Sequence, residues 1–399
     1  VSFIDDFAPI VTNVRMSKKQ RHHSTKLVRA GVGTDPSYNS VMPPLHLSST
    51  YQINGLDQRG TYEYSRTKNP TRDELADALA ALEGGIGCAV TSSGMAALTL
   101  ILHLLSPDDL ILAPYDCYGR SYWLLRALAE KTHFRLKFID PYDSSSWDEA
   151  FAEAPRMVLI ESPSNPVMRV ADIEAIAARA HESGALVVCD NTFLSPILQT
   201  PFELGADIVY HSTTKFLNGH SDVVGGAVIV KDDEEMLAEL HLWNNSLGTI
   251  GAPFDAYMTL RGMRTLEVRV TRAQENAEKI AAFLDAHEAV ERVHYPGLAT
   301  HAGHEIAKKQ QRGFGAMLSF EPRGDIHQFI GALELFSLAQ SLGGTESLIN
   351  HPASMTHVSM GAEAREKAGV TDPLLRLSIG IEHVDDLLSD LGQALDAMS

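Results

Sequence analysis

Short apolar runs alternate with helix-length stretches through the middle of this chain. Between residues 86 and 230 the runs are CAVTSS, LILAP, RLKFID, MVLIES, ALVVCD, DIVYHS and GGAVIVK. Stretches such as IEAIAARAHESG separate them and carry apolar residues at helical spacing. Continuous apolar strands alternating with helices predict a mainly parallel sheet covered on both faces. Ligands bind at the strand ends of such sheets. The segments SSGM, ESPSN, DNT and HSTTK all follow these runs.

Upstream, NPTRDELADALAALEGG predicts a helix. Asn69 caps it, Pro70 suits its first turn, and Leu75, Ala78, Leu79 and Leu82 share one face. Gly84 and Gly85 stop it. The preceding segment is irregular, with Pro43–Pro44 and many Ser, Thr and Gly, as in an arm that packs on a neighbouring subunit. Downstream, a helical region over 254–287 leads to a smaller portion with GAMLSFEP and LLRLSIGIE as strands. The expected organisation is an arm over 1–75, a large domain over 76–265 and a C-terminal domain over 266–399. Met16 is read as the natural start, with residues 1–15 an extension, and His22–His23 as part of a mobile tail.

Of the 399 residues, 44% are hydrophobic, enough for a large core. The formal net charge of −18 disfavours nucleic acid and anionic membrane as partners. Any anionic ligand must then be held by local cations. There are three cysteines, with no CxxC pair, so a disulfide framework or zinc site is not expected and a reducing cytoplasm fits. No apolar run reaches membrane-spanning length.

Three features carry chemistry. Lys215 closes HSTTK after an apolar run, where desolvation would make its amine nucleophilic. Asp190 ends LVVCD; it suits either a cap or turn, or a partner for a protonated ring nitrogen. Ser93, Gly94 and Met95 open an apolar helix, where N–H groups face an anion and glycine permits close approach. Ser212 and Thr214 could add hydroxyls to the same anion. A lysine, an aspartate and an anion cradle are what pyridoxal 5'-phosphate requires.

The chain resembles the Cys/Met-metabolism family of fold type I pyridoxal-phosphate enzymes over about residues 25–399. The matching runs include YSRTKNPTRDELADALAALEGG, APYDCYG, ESPSNP, VVCDNTFLSPILQTP, HSTTKFLNGHSDVVGG, SLGGTESLINHPASMTH and LLRLSIGIE. The resemblance implies an aspartate aminotransferase-like α/β fold with a smaller C-terminal α+β domain. It implies that Lys215 is the Schiff-base lysine, Asp190 the pyridinium partner, and Tyr118 the residue that stacks on the ring and assists proton transfer. Gly94, Met95, Ser212 and Thr214 would hold the phosphate. Tyr64 and Arg66 would reach the phosphate of an adjacent subunit, in a homotetramer built from dimers. Arg376 would clamp the substrate α-carboxylate beside Asn165, and Glu346 and Ser347 would line the substrate pocket.

The pattern is most similar to the bacterial γ-synthase branch. That implies γ-replacement, joining an O-succinyl- or O-acetylhomoserine to cysteine to form cystathionine. The alternative is γ-elimination of cystathionine to cysteine, 2-oxobutyrate and ammonia. Arg120 stands where methionine γ-lyases carry cysteine. The chain departs from the branch at Thr67 and Trp123, where arginines are expected. Lys68 and Arg120 lie nearby, and the departures imply a weak preference for the succinyl over the acetyl ester. A non-catalytic binding protein on the same fold is the remaining class. The joint presence of Lys215, Asp190, Tyr118 and Arg376 argues against it.

Overall fold

Asn69 starts a helix through its own side chain: Oδ1 accepts from Thr71 N at 3.0 Å and Arg72 N at 3.2 Å. In the computed structural model, which describes residues 21–58 and 60–398, that helix is α2, Pro70–Glu83, following the short α1, His23–Arg29. Gly84 ends α2 at φ +88°, a conformation glycine adopts without strain. Leu75, Leu79 and Leu82 are buried as expected, but so are Arg72 and Glu83 on the same helix. The reading of residues 1–15 and Met16 lies outside the described residues. His23 belongs to no tail: it opens α1, and its Nε2 lies 3.2 Å from Leu82 O.

Seven strands form the central sheet: β1 Gly87–Thr91, β2 Leu110–Pro114, β3 Arg135–Ile139, β4 Met157–Glu161, β5 Leu186–Asp190, β6 Ile208–His211 and β7 Gly226–Val230. Their order is β1-β7-β6-β5-β4-β2-β3. The mainly parallel prediction holds for β2 to β6, whereas β7 runs antiparallel to both β1 and β6. Residues 212–225, between β6 and β7, form turns and no helix, so the chain returns without the helical crossover usual for parallel pairing. Successive side chains of a strand enter opposite layers. Val187 and Ile229 pack on one face with Leu79, while Val188 and Val228 pack on the other with Leu98. Two covered faces explain why these strands read as continuous apolar runs.

The predicted helical stretch after residue 254 is two helices, Pro253–Met263 and Leu266–Asp285, broken at Arg264–Thr265. Beyond them a second sheet contains β8 Val290–His294, β9 Met317–Pro322, β10 Ser337–Leu338, β11 Leu348–Asn350 and β12 Leu375–Ser378, in the order β10-β11-β12-β9-β8. Leu318, Phe320, Leu375 and Leu377 form its core with Leu387 and Leu391 of the last helix, Val384–Asp396. The architecture is α/β, with a mostly parallel central sheet and a smaller second sheet. Among the described residues, no helix is long and apolar enough to cross a membrane. Cys88, Cys117 and Cys189 are buried and free.

Candidate active site

The central sheet reverses its direction of growth between β2 and β4: β3 lies outside β2, and the chain then returns to add β4 on the other side. Such a switch leaves a crevice at the carboxyl ends of the strands. A cavity of about 480 Å³ opens there. Its walls include Gly94, Met95, Tyr118, Asn165, Asp190, Ser212, Thr214, Lys215 and Arg376. Nine residues named from sequence therefore meet in one place.

Lys215 follows β6 on a tight turn, with its N–H donating to Ser212 O and its carbonyl accepting from Gly219 N at 2.8 Å. The buried Arg269 braces the next residues by donating to Phe216 O at 2.8 Å. The Lys215 amine donates to Ser341 Oγ at 2.6 Å. Burial, and then the Arg376 charge, pull its pKa down to about 8, so roughly a tenth of the amine is neutral at pH 7, far more than for an ordinary lysine. Ser341 was not foreseen; it sits at φ +84°, a strained conformation for a serine.

Asp190 ends β5, and its Oδ1 accepts from Thr192 N at 2.9 Å. Burial raises its pKa, opposed by bonds from Thr192 and by the nearby His211. The His211 ring contacts Glu83 Oε1 at 2.6 Å, and Asn191 Nδ2 donates to the same oxygen at 2.8 Å. A polar network thus lies behind Asp190. Thr192 Oγ1 also accepts from Ser212 N at 2.9 Å, tying the carboxylate's turn to the segment before Lys215.

Helix α3, Gly94–Leu102, points its N-terminus into the cavity wall, capped by Ser93 through Ala96 N at 3.0 Å. A Cβ on Gly94 would meet Ser212 Cβ at 2.7 Å and Cα at 2.9 Å. Only glycine lets the helix start approach that strand end so closely. Thr214 faces the cavity too, but its hydroxyl also donates to Gly225 O at 3.2 Å and accepts from Gly225 N at 3.0 Å.

On the opposite wall, Arg376 on β12 is buried among polar groups. Nη1 donates to Asn165 Oδ1 at 2.8 Å and Nη2 to Ser341 O at 3.0 Å, while Nε is buried without a hydrogen bond. Burial lowers its pKa to about 10, so the guanidinium stays charged at neutral pH. Tyr118 stands at the residue before helix α4, Gly119–Glu130, in the segment that follows β2. Its ring stands edge-on to His357, with centroids 6.3 Å apart, and burial raises its pKa.

Four residues named from sequence lie outside this lining. Tyr64 and Arg66 are exposed on the arm. The Arg66 guanidinium stacks 5.5 Å from the Tyr64 ring, and its Nη1 donates to Asn245 O at 2.7 Å. Glu346 accepts hydrogen bonds from Ser221 Oγ and from Thr345 Oγ1. Ser347 corrects the sequence reading: it is fully buried, its hydroxyl donates to Glu382 Oε2 at 2.9 Å and accepts from Gly380 N at 3.0 Å. Its bonds fasten two loops of the smaller sheet together. Glu161, by contrast, lines the cavity, and its place at the head of ESPSNP carries no chemical signal in the sequence. A carboxylate at a strand end looks like a turn residue until its neighbours are known.

These groups fit a pyridoxal phosphate. The Gly94–Ser212 approach and the helix start suit an anion. Asp190 suits a cationic ring nitrogen, and Lys215 is an amine poised near neutrality. Arg376, with one nitrogen unpartnered, suits a carboxylate.

Comparison with known proteins agrees. Residues 24–396 match the family model described as Cys/Met metabolism PLP-dependent enzyme. The cystathionine gamma-synthase of Escherichia coli is 51% identical over 380 residues, covering 94% of this chain and 97% of that protein. A cystathionine beta-lyase of Coxiella burnetii is 44% identical over 383 residues, covering 95% and 99%. The crystal structure of cystathionine gamma synthase from Xanthomonas oryzae pv. oryzae, in complex with aminoacrylate and cysteine, superposes with a TM-score of 0.94 at 52% identity, covering 95% of this chain and 98% of that one. Cavity, donor set and overall likeness lead to one assignment: the chain belongs to the Cys/Met-metabolism family of PLP-dependent enzymes.

Proposed function

We propose that this enzyme carries out γ-replacement on an O-acylhomoserine, with cysteine sulfur displacing the acyloxy group to give cystathionine and the free carboxylic acid. The observation that carries the reading is the convergence of Lys215, Asp190 and Arg376 on one cavity, in a chain half identical to a γ-synthase over nearly its whole length.

When bound, pyridoxal phosphate supplies an electron sink for the substrate's Cα–H electrons. Arg376 holds the substrate α-carboxylate, with Asn165 fixing the plane of its guanidinium. Lys215 carries protons between Cα and Cβ, a task suited to an amine with a pKa near 8. Tyr118 would stack on the ring and assist proton transfer. Asp190 keeps the ring nitrogen protonated. Gly94, Met95, Ser212 and Thr214 would hold the phosphate, and Tyr64 and Arg66 would reach it from an adjacent subunit. The assembly proposed is a tetramer of two such dimers. Glu346 would attract the distal ammonium of cysteine or cystathionine.

Cleavage of cystathionine to cysteine, 2-oxobutyrate and ammonia is the second reading, favoured by a cystathionine gamma-lyase relative at 44% identity and by Thr67 and Trp123. Thr67 contacts Asn245 and Trp123 is half exposed, so neither supplies a cation to a succinyl carboxylate. A product assay decides between them. Purified holoenzyme is given O-succinyl- or O-acetylhomoserine, with and without cysteine, and in parallel cystathionine alone. Cystathionine from ester plus cysteine, and 2-oxobutyrate from ester alone, are expected. Rapid cleavage of cystathionine with both esters inert would overturn the synthase reading.

A further inference from the structure

We infer that Glu161 is the positioning residue that sets the relative placement of Tyr118 and Asn165, and through them of the ring-stacking and carboxylate-binding walls. The inference rests on the roles proposed above for those two residues. Glu161 is the last residue of β4 and 7% exposed. Its Oε2 accepts from Tyr118 N and its Oε1 from Asn165 N, each at 2.9 Å. One side chain therefore joins the segment after β2 to the segment after β4, one oxygen to each.

A second bridge runs between the same two residues. His357 donates from Nε2 to Asn165 O at 3.0 Å, and its ring meets the Tyr118 ring edge-on. Asn165 in turn holds Arg376. The sequence Tyr118–Glu161–Asn165–Arg376 is thus a continuous set of hydrogen bonds from one wall of the cavity to the other.

Glutamate is required because both partners are donors. Glutamine has the same shape but offers one oxygen; its amide nitrogen would face an N–H and cannot accept from it. Glutamate is otherwise a costly choice here. It is buried beside Asp190, its register partner on β5, and both carboxyls are pushed above their usual range by that burial. A buried acid at such a cost is consistent with a specific bonding task.

The test pairs Glu161→Gln with a remote destabilising control, Leu391→Ala, in the core of the smaller sheet. Hydrogen exchange read by mass spectrometry on cofactor-free protein reports the two amides. In wild type, peptides covering Tyr118 and Asn165 should be protected, and in Glu161→Gln at least one should exchange on the order of 10-fold faster. In the holoenzyme, Glu161→Gln should lower kcat and raise KM, with kcat/KM falling on the order of 10- to 100-fold. Leu391→Ala should lower the melting temperature and leave both constants unchanged. Fast exchange of these amides in wild type overturns the inference without any variant. Unchanged protection or unchanged kinetics in a folded Glu161→Gln overturns it as well. Tyr118→Ala and Asn165→Ala separate the two failures. If they too are fully active, the proposed roles are at fault; if they are impaired beside an unimpaired Glu161→Gln, the inference is.

Discussion

The walls around Lys215 and the arm from residue 35 to 68 are built in opposite ways. Around Lys215, side chains are buried and mutually bonded: Asp190 with Thr192, Arg376 with Asn165, Glu161 with two backbone amides. On the arm, Tyr38 is 86% exposed and Leu56 is 99% exposed. Among the described residues, Arg66 has a backbone carbonyl and a neighbouring ring for its guanidinium. A preorganised site needs over-determined contacts, which one chain supplies at Lys215. The arm has the composition of a surface that meets something else, and in the assembly proposed here that is the adjacent subunit's phosphate.

Removing the centre of the ordered region should have the largest effect. Lys215→Ala should leave below about 1% of wild-type turnover, since no other amine lines the cavity among the described residues. Borohydride reduction and peptide mapping of wild type should place the cofactor label on Lys215; a label on another lysine would sink the assignment. The same amine gives a pH signature. It is protonated below its pKa of about 8 and neutral above it. The rate at which cofactor-free protein couples to pyridoxal phosphate should therefore climb to about pH 8 and level off, where an ordinary lysine would keep gaining reactivity to above pH 10.

The arm should respond differently. Arg66→Ala should weaken cofactor retention about 10-fold, the loss of one charge-assisted contact. Mixing Arg66→Ala with Lys215→Ala chains should restore activity, because one site of each mixed dimer inherits neither lesion. No recovery after verified subunit exchange would erase the contrast between the two regions. Asn69→Ala should act more gently, on folding alone. It removes the α2 cap and the Nδ2 bonds that tie His46 O and Ser65 Oγ of the arm to the body. A loss of about 2 kcal/mol in denaturant unfolding, with kcat unchanged, is expected.

The same contrast explains what could be read in the residues. The strands were legible because both faces of the sheet are covered. Lys215, Asp190 and Gly94 were legible because each sits at a strand or helix end, where local sequence dictates direction. Glu161 was not, because its role depends on amides from two other loops. Ser347 was misread because GGTES marks a loop but does not say which way its side chains turn; Glu382 decides that. His23 looked like tail until Leu82 O was found beside it. The helical region expected over 254–287 is helical, and what its pattern did not mark is the break at Arg264–Thr265. Gly262 packs against the backbone of Asn218, beyond Lys215, and the chain breaks just after this contact.

The contact between Gly94 and Ser212 has a consequence for inheritance. At most cavity positions a gene can drift through side chains of similar size before function suffers. At codon 94 the smallest step, to alanine, already adds an atom where Ser212 stands 2.7 Å away. Ser212 is held in turn by Thr192, so it has little room to yield. A library randomised at codons 94 and 95 and selected for growth should return glycine at the first and several apolar residues at the second. The atom most strictly specified in this cavity is one that the chain leaves out.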